Sequence, residues 1–224
     1  YHNGILREDD IYNWIITKSG KAILKYETHH IELVKEIEFM AQRYADLVNA
    51  TRRLSDGSDY PHVTHIGFIN KYKARQHLVM LLALSKNADK EAIDYLAQQI
   101  ESFYFVTNTV GILGKSNEHS FANWVVSFRG KTTIEEIQQV VEKTIVPYVL
   151  ERLDNLKFKF LNIRHDGYNP QYRQRFILGQ LENQARIQAG LTEFNFKQIG
   201  QLEIEHIFPQ TPKDDVLPEE FLDK

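Results

Sequence analysis

The sequence predicts a mainly α-helical protein, a multi-helix bundle followed by the first strand or strands of a second, truncated module. Three observations carry this. Apolar residues recur at three- and four-residue steps through most of residues 8–190. Only 11 Gly and 6 Pro occur in 224 residues, too few for a turn-rich β-sandwich. After Gly190 the apolar residues change to near-alternating positions, the period of a strand.

Glu8-Asp9-Asp10 ahead of Ile11, Trp14 and Ile15 reads as a helix start, because acids are favourable at the positive end of the helix dipole. Gly20 reads as its end. From Thr28 to Asn49, the residues Ile31, Val34, Ile37, Met40, Tyr44 and Val48 mark an amphipathic helix. Ser55 to Pro61 is a loop, and Val63 to Leu84 holds one or two helices. Asp89 is placed to cap a helix in which Ile93, Leu96, Ala97, Ile100, Phe103 and Tyr104 continue towards Thr109. Gly111 and Gly114 break the pattern, and Ser120 to Phe128 is a short helix closed by Gly130.

Thr132-Thr133-Ile134-Glu135-Glu136 opens the next helix, with a Glu near the third helical position as in a capping box. Its stripe is Ile134, Ile137, Val140, Val141, Ile145, Val149 and Leu153; Pro147 lies inside it, so a kink or break is expected there. Asp166 to Pro170 is a turn, with Pro170 suited to start a helix that runs to about Ala189 and ends at Gly190. The expectation for 8–190 is therefore about seven to nine helices with almost no sheet. Beyond Gly190, the residues Phe194, Phe196, Ile199, Leu202, Ile204 and Ile207 read as strand. The boundary falls near 190–200, giving a helical domain 1–195 and an incomplete second domain 196–224.

Composition sets outer limits. The chain is 42% hydrophobic and 25% charged, ordinary for a globular protein, and long enough for a substantial core. The absence of cysteine excludes disulfides and thiolate zinc sites and fits a reducing cytoplasm, bacterial or archaeal. No apolar run approaches the roughly 20 residues that span a bilayer, so no membrane partner is expected. The net charge of -3 excludes a polycation but not a local basic patch. Such a patch is legible between Lys143 and Arg175, which hold seven Lys or Arg against three acids. Solvated helix faces and a phosphate-facing surface both account for it.

Chemistry concentrates in Leu202-Glu203-Ile204-Glu205-His206-Ile207-Phe208-Pro209-Gln210. Hydrolysis of a phosphodiester needs a base for the attacking water and a cation to neutralise phosphate charge. A neutral imidazole such as His206 has an unperturbed pKa of about 6.5, close to what a base at neutral pH requires. The Glu205 carboxylate is a hard oxygen ligand suited to Mg²⁺ or Mn²⁺. Neighbouring residues on a flat strand point to opposite faces, so both can serve one site only where the strand bends or ends. Pro209 makes such an end plausible.

Ile204-Glu205-His206-Ile207-Phe208-Pro209-Gln210, followed by Thr211-Pro212, resembles the opening of the HNH (ββα-metal) domain in GmrSD-type modification-dependent restriction endonucleases. Two earlier segments are similar to the helical region of that family: Ile100-Glu101-Ser102-Phe103-Tyr104-Phe105, and Arg175-Phe176-Ile177-Leu178-Gly179-Gln180-Leu181-Glu182. The likeness covers residues 90–212. It implies a DNA endonuclease of restriction or anti-phage defence, acting on modified or foreign DNA. His206 would be the general base and Glu205 a ligand of one divalent metal, Mg²⁺ or Mn²⁺. It also implies an N-terminal ParB/sulfiredoxin-like NTPase domain, whose nucleoside triphosphate licenses cleavage, and an HNH remainder downstream.

Neither flank is legible here. The family's Asp-Gly-Gln-Gln-Arg run is absent, and so is a Gly-Asn-Leu-Thr-like strand with an Asn/Lys helix. The expectation is a piece of a longer enzyme, inactive by itself.

Lys157, Lys159, Arg164, Arg173 and Arg175 are the candidates for DNA-backbone contacts; Arg175 serves equally well as a structural contact to the HNH domain. His62 and His65 are three apart, a helical metal-ligand spacing that two histidines alone rarely complete. Trp14, Trp124 and the Phe103-Tyr104-Phe105 cluster read as core. No base-reading motif is present. A non-enzymatic alternative stands beside the nuclease: a helical coupling or recognition module that holds partner domains or forms a homo-oligomer.

Overall fold

The computed structural model describes residues 6–52, 65, 66, 69, 75–109, 117–163 and 171–204. Among them every regular element is a helix and no strand is formed. A 3₁₀ turn at Glu8–Asp10 leads into α1 (Ile11–Ile15), α2 (Lys18–Leu24) and α3 (His30–Arg52). Then come α4 (Gln76–Ala83), α5 (Lys90–Tyr104) with a π-helical extension Phe105–Thr109, and α6 (Asn117–Phe128). α7 (Ile134–Lys143), α8 (Ile145–Leu150) and α9 (Leu153–Leu161) precede α10 (Gln171–Gln188) and α11 (Phe196–Gln201). The loop expected at Ser55 to Pro61, the breaks at Gly111 and Gly114, and the turn at Asp166 to Pro170 lie outside the described residues.

Gly20 does not end the first helix. Thr17 does, by capping a second one, its hydroxyl accepting from the Gly20 N–H at 3.0 Å. Gly20 is buried inside α2, where a Cβ would run into the Trp14 and Ile15 carbonyl oxygens, so the position demands glycine for space. α2 ends instead at Lys25, which takes a left-handed φ of 51°.

The core is built by α4–α8. α5 supplies Ala92, Leu96, Ala97, Ile100, Phe103 and Tyr104, the three- and four-residue steps of one helical face. Leu78, Met80 and Leu81 of α4, Phe121 and Phe128 of α6, and Ile137, Val140 and Val141 of α7 close over that face. Among the described side chains, α3 contributes Leu47 and Val48, near its C-terminal end. Its remaining length leaves Ile31, Val34, Ile37 and Tyr44 exposed.

Two loops are stitched together by backbone bonds, Gly130 N–H to Ala83 O at 2.9 Å and Ser85 N–H to Lys131 O at 2.9 Å. Gly130 reaches this geometry at a φ of 69°, where a side chain is strained. Asp89 occupies the N-cap position of α5 but makes no side-chain cap bond; its N–H donates to the Thr132 carbonyl.

α7 opens on the expected capping box. Thr133 Oγ1 accepts from Glu136 N–H, and the Glu136 carboxylate accepts from the Thr132 and Thr133 N–H groups at 2.8 and 3.3 Å. Those backbone bonds hold the Glu136 carboxyl below its ordinary range. The break expected at Pro147 falls three residues earlier, at Thr144. The proline ring excludes a helical carbonyl four residues back, at Lys143, so α7 must stop there and Pro147 sits in the first turn of α8.

The strand expected from Phe194 to Ile207 is not formed among the described residues, where 196–201 are helix α11; Ile207 lies outside them. Asn195 caps it, accepting from Gln198 N–H at 2.9 Å while the Gln198 side chain accepts from Asn195 N–H at 2.8 Å. This reciprocal cap supplies the N-terminal hydrogen bonds that a strand would have to find in a partner. The apolar residues at 199 and 202 are then one helical turn apart.

His77 has an acid-stability consequence. The ring is fully buried, edge-on to Tyr104 at 5.9 Å between centroids, and neither nitrogen has a hydrogen-bond partner among the described residues. Burial, aided by the Arg75 charge, lowers its pKa to about 3. Between that value and about 6.5 the unfolded chain binds a proton the folded chain refuses, so stability is lost as pH falls. Chemical denaturation at pH 7 and pH 5 should show a loss of about 2 kcal/mol from this group, abolished in His77→Leu.

Candidate functional site: the arm that leads into Glu205-His206

Glu205 and His206 lie outside the described residues, so what the structure defines is their approach. α10 runs up to a Schellman-type stop. Gly190 takes φ 71°, its N–H donates to Ile187 O at 3.0 Å, and Leu191 N–H donates to Arg186 O at 2.8 Å. The chain then descends along the helix it has just left.

Four residues of α10, spaced by four, four and three, receive it: Arg175, Gly179, Asn183 and Arg186. That spacing places them on one face. Arg186 Nε donates to Thr192 O at 2.6 Å, and its guanidinium covers the Phe194 ring at 3.9 Å. Asn183 is buried and satisfied by both amide groups, with Nδ2 donating to Phe194 O at 2.9 Å and Oδ1 accepting from Phe194 N–H at 2.7 Å. Gly179 faces Ile199 so closely that a Cβ would meet its side chain at 2.6 Å. Arg175 Nε donates to Leu202 O at 3.2 Å, three residues before Glu205.

The other side of α10 enters the body. Phe176 is fully buried against Phe105 of the π-helical extension, ring centroids 5.6 Å apart. Gln180 Nε2 donates to Glu101 Oε1 at 3.1 Å. Glu101 is itself buried, and its second oxygen lies 3.0 Å from His65 Nδ1. Asp94 approaches the far side of the same ring, 3.7 Å from Nε2. Burial pushes the Glu101 carboxyl up to about 7, against the opposing bonds from His65 and Gln180. For His65, burial favours the neutral ring. The Glu101 hydrogen bond, with the charges of Glu101, Asp94 and Glu193, outweighs it and raises the pKa.

Between α10 and the descending chain runs an open groove of about 600 Å³, lined by Leu178, Leu181, Glu182, Leu202 and Ile204 among others. Its last described lining residue, Ile204, immediately precedes Glu205.

The basic candidates separate. Lys157 is exposed on α9, and Lys159 on the same helix is half-buried. Arg164 lies outside the described residues, and Arg173 is placed on α10 without a described side chain. Arg175 spends Nε on the Leu202 carbonyl. His62 is not described, and the described acids within ion-pair distance of His65 are Glu101 and Asp94. Phe103 and Tyr104 are core, and Trp124 packs against it.

The polar cluster at Glu101 carries no local signature in the sequence. Its contacts span 36 and 79 residues, and no local spacing announces them. The zipper on α10 left a signal, the 4-4-3 run of Arg, Gly, Asn and Arg. Among the described residues, no helix is long and apolar enough to cross a membrane, and no three His, Cys, Asp or Glu side chains gather to hold a metal ion. Comparison with models of known families, with curated proteins and with solved structures finds no match to this chain.

Proposed function

We propose that this chain belongs to a metal-dependent DNA endonuclease of the GmrSD-like restriction or anti-phage type, in which the helical body seats the start of an HNH module. One observation supports the reading above the others: Glu205-His206-Ile207-Phe208-Pro209-Gln210 follows directly on a segment that α10 grips at four successive points. A nuclease needs its base and metal ligand delivered at a fixed place relative to the DNA-holding surface, since misplacement by about 1 Å costs on the order of 10²-fold in rate. A multiply tethered approach supplies such placement.

In this reading the His206 imidazole takes the proton from the attacking water, and the Glu205 carboxylate would help hold one divalent metal. The donor set fits Mg²⁺ or Mn²⁺, which favour hard oxygen ligands; further ligands would come from the HNH remainder and water. The bound metal supplies charge neutralisation at the scissile phosphate. Lys157, Lys159, Arg164 and Arg173 hold DNA phosphates, and Arg175 fastens the module. By resemblance, a nucleoside triphosphate bound on an upstream domain licenses cleavage.

The test is plasmid cleavage by the intact protein. It should nick or linearise DNA with Mg²⁺ or Mn²⁺ and stop on chelation, while residues 1–224 alone leave DNA intact. Cleavage indifferent to chelator, or by residues 1–224 alone, contradicts the reading. A second reading, a helical module joining domains or protomers, is favoured by the exposed stripe Ile31, Val34, Ile37 and Tyr44 on α3. It is the outcome if the intact protein cleaves nothing.

A further inference from the structure

Among the described residues, the Glu101 cluster joins ionisable and polar groups from separate parts of the chain. Glu101 belongs to α5 in the main core, His65 to the segment before α4, and Gln180 to α10, which carries the gripped arm. Glu193, in the turn between α10 and α11, acts on both His65 and Glu101 through its charge. We propose that His65, Glu101 and Gln180 form a proton-operated latch that fastens the α10–α11 arm to the bundle and loosens when the cluster loses its proton.

The geometry gives the latch one carboxylate with two jobs. One oxygen accepts from the Gln180 amide and the other faces the His65 ring. The His65–Glu101 pair holds one proton in the fastened state. Without it, a buried carboxylate is left beside a neutral ring and two further acids, Asp94 and Glu193, with Lys90 the cation that acts on Asp94. Release of the arm readmits water to the carboxylate and relieves that cost.

The sign is the same for both groups. Glu101 rises from an ordinary 4.5 to about 7, so its contribution to fastening is complete at low pH and is lost as pH climbs through that window. His65 is also raised, through the same shared proton, so the pair loses one proton in total as pH rises. His77 acts oppositely and in the main core, where acid destabilises. A loosening with rising pH confined to the arm is therefore distinct from it.

Amide hydrogen exchange of this chain, with each amide normalised to its intrinsic rate, tests the latch at pH 5.5 and 7.5. Protection within 176–199 should fall by about tenfold or more over that interval, while α5 and α6 amides do not follow it. In Glu101→Gln, a neutral isostere that can still bond Gln180 and His65, arm protection should no longer depend on pH. Should that variant not fold, Gln180→Ala serves. It leaves the His65–Glu101 pair in place and cuts its tie to α10, so arm protection should be low at both pH values. Protection in the wild type that is flat with pH, or a pH response that survives in either variant, overturns the proposal. Neither result bears on the nuclease reading, which the plasmid assay decides separately.

Discussion

Replacing Phe103 by alanine is expected to destabilise the fold by about 3–5 kcal/mol, the range for deleting a buried phenyl ring. Phe103 is the hub of the aromatic core. Its ring centroid lies 5.4 Å from Phe121, 5.4 Å from Trp124, 5.5 Å from Tyr148 and 6.2 Å from Tyr104. Those contacts come from α5, α6 and α8, so no single helix can close the space left behind. Most of the arrangements are edge-to-face, which adds roughly 0.5–1.5 kcal/mol per pair beyond simple burial. Denaturant unfolding followed by Trp124 fluorescence gives the number; Phe103→Leu, which refills part of the volume, should cost less. A loss below about 1 kcal/mol for the alanine variant would mean that this cluster is not the organising core.

The helical body was largely legible because its signals are local and redundant. The apolar face of α5 repeats at helical spacing, and α7 adds its cap residues Thr133 and Glu136 to a clean stripe. Gly130 and Gly190 mark stops where the backbone turns left-handed. The misreadings arose where one residue type serves two physical purposes. Gly20 looks like a terminator, but it is glycine because neighbouring carbonyls leave no room for a Cβ. Phe194, Ile199, Leu202 and Ile204 satisfy a strand pattern loosely and a short helix equally well. What decides is Asn195 with Gln198, whose reciprocal cap starts a helix.

The site was legible only in part. The acid-His run is contiguous and carries its own chemical logic. What grips its approach comes from a separate helix. Arg175 meets Leu202 across 27 residues and Gln180 meets Glu101 across 79, distances over which one sequence offers no spacing rule.

On the proposed nuclease reading, His206→Ala in the intact protein is expected to lower the cleavage rate by about 10²–10⁴-fold, the usual loss for a general base. DNA affinity should change little, because a neutral imidazole adds almost nothing to the salt-dependent binding carried by Lys and Arg. The arm should remain seated, since its described contacts are made by residues up to Leu202. Charge reversal at Lys157 and Arg164 is the complementary variant: weaker binding, a flatter dependence on salt, and a metal site still formed. The most direct measurement is the single-turnover cleavage rate at saturating DNA, wild type beside His206→Ala, with a binding titration on each. The account predicts a loss of at least about 10²-fold in rate with nearly unchanged affinity. A variant that keeps more than about a tenth of the wild-type rate would make Glu205-His206 a structural pair and contradict the nuclease assignment.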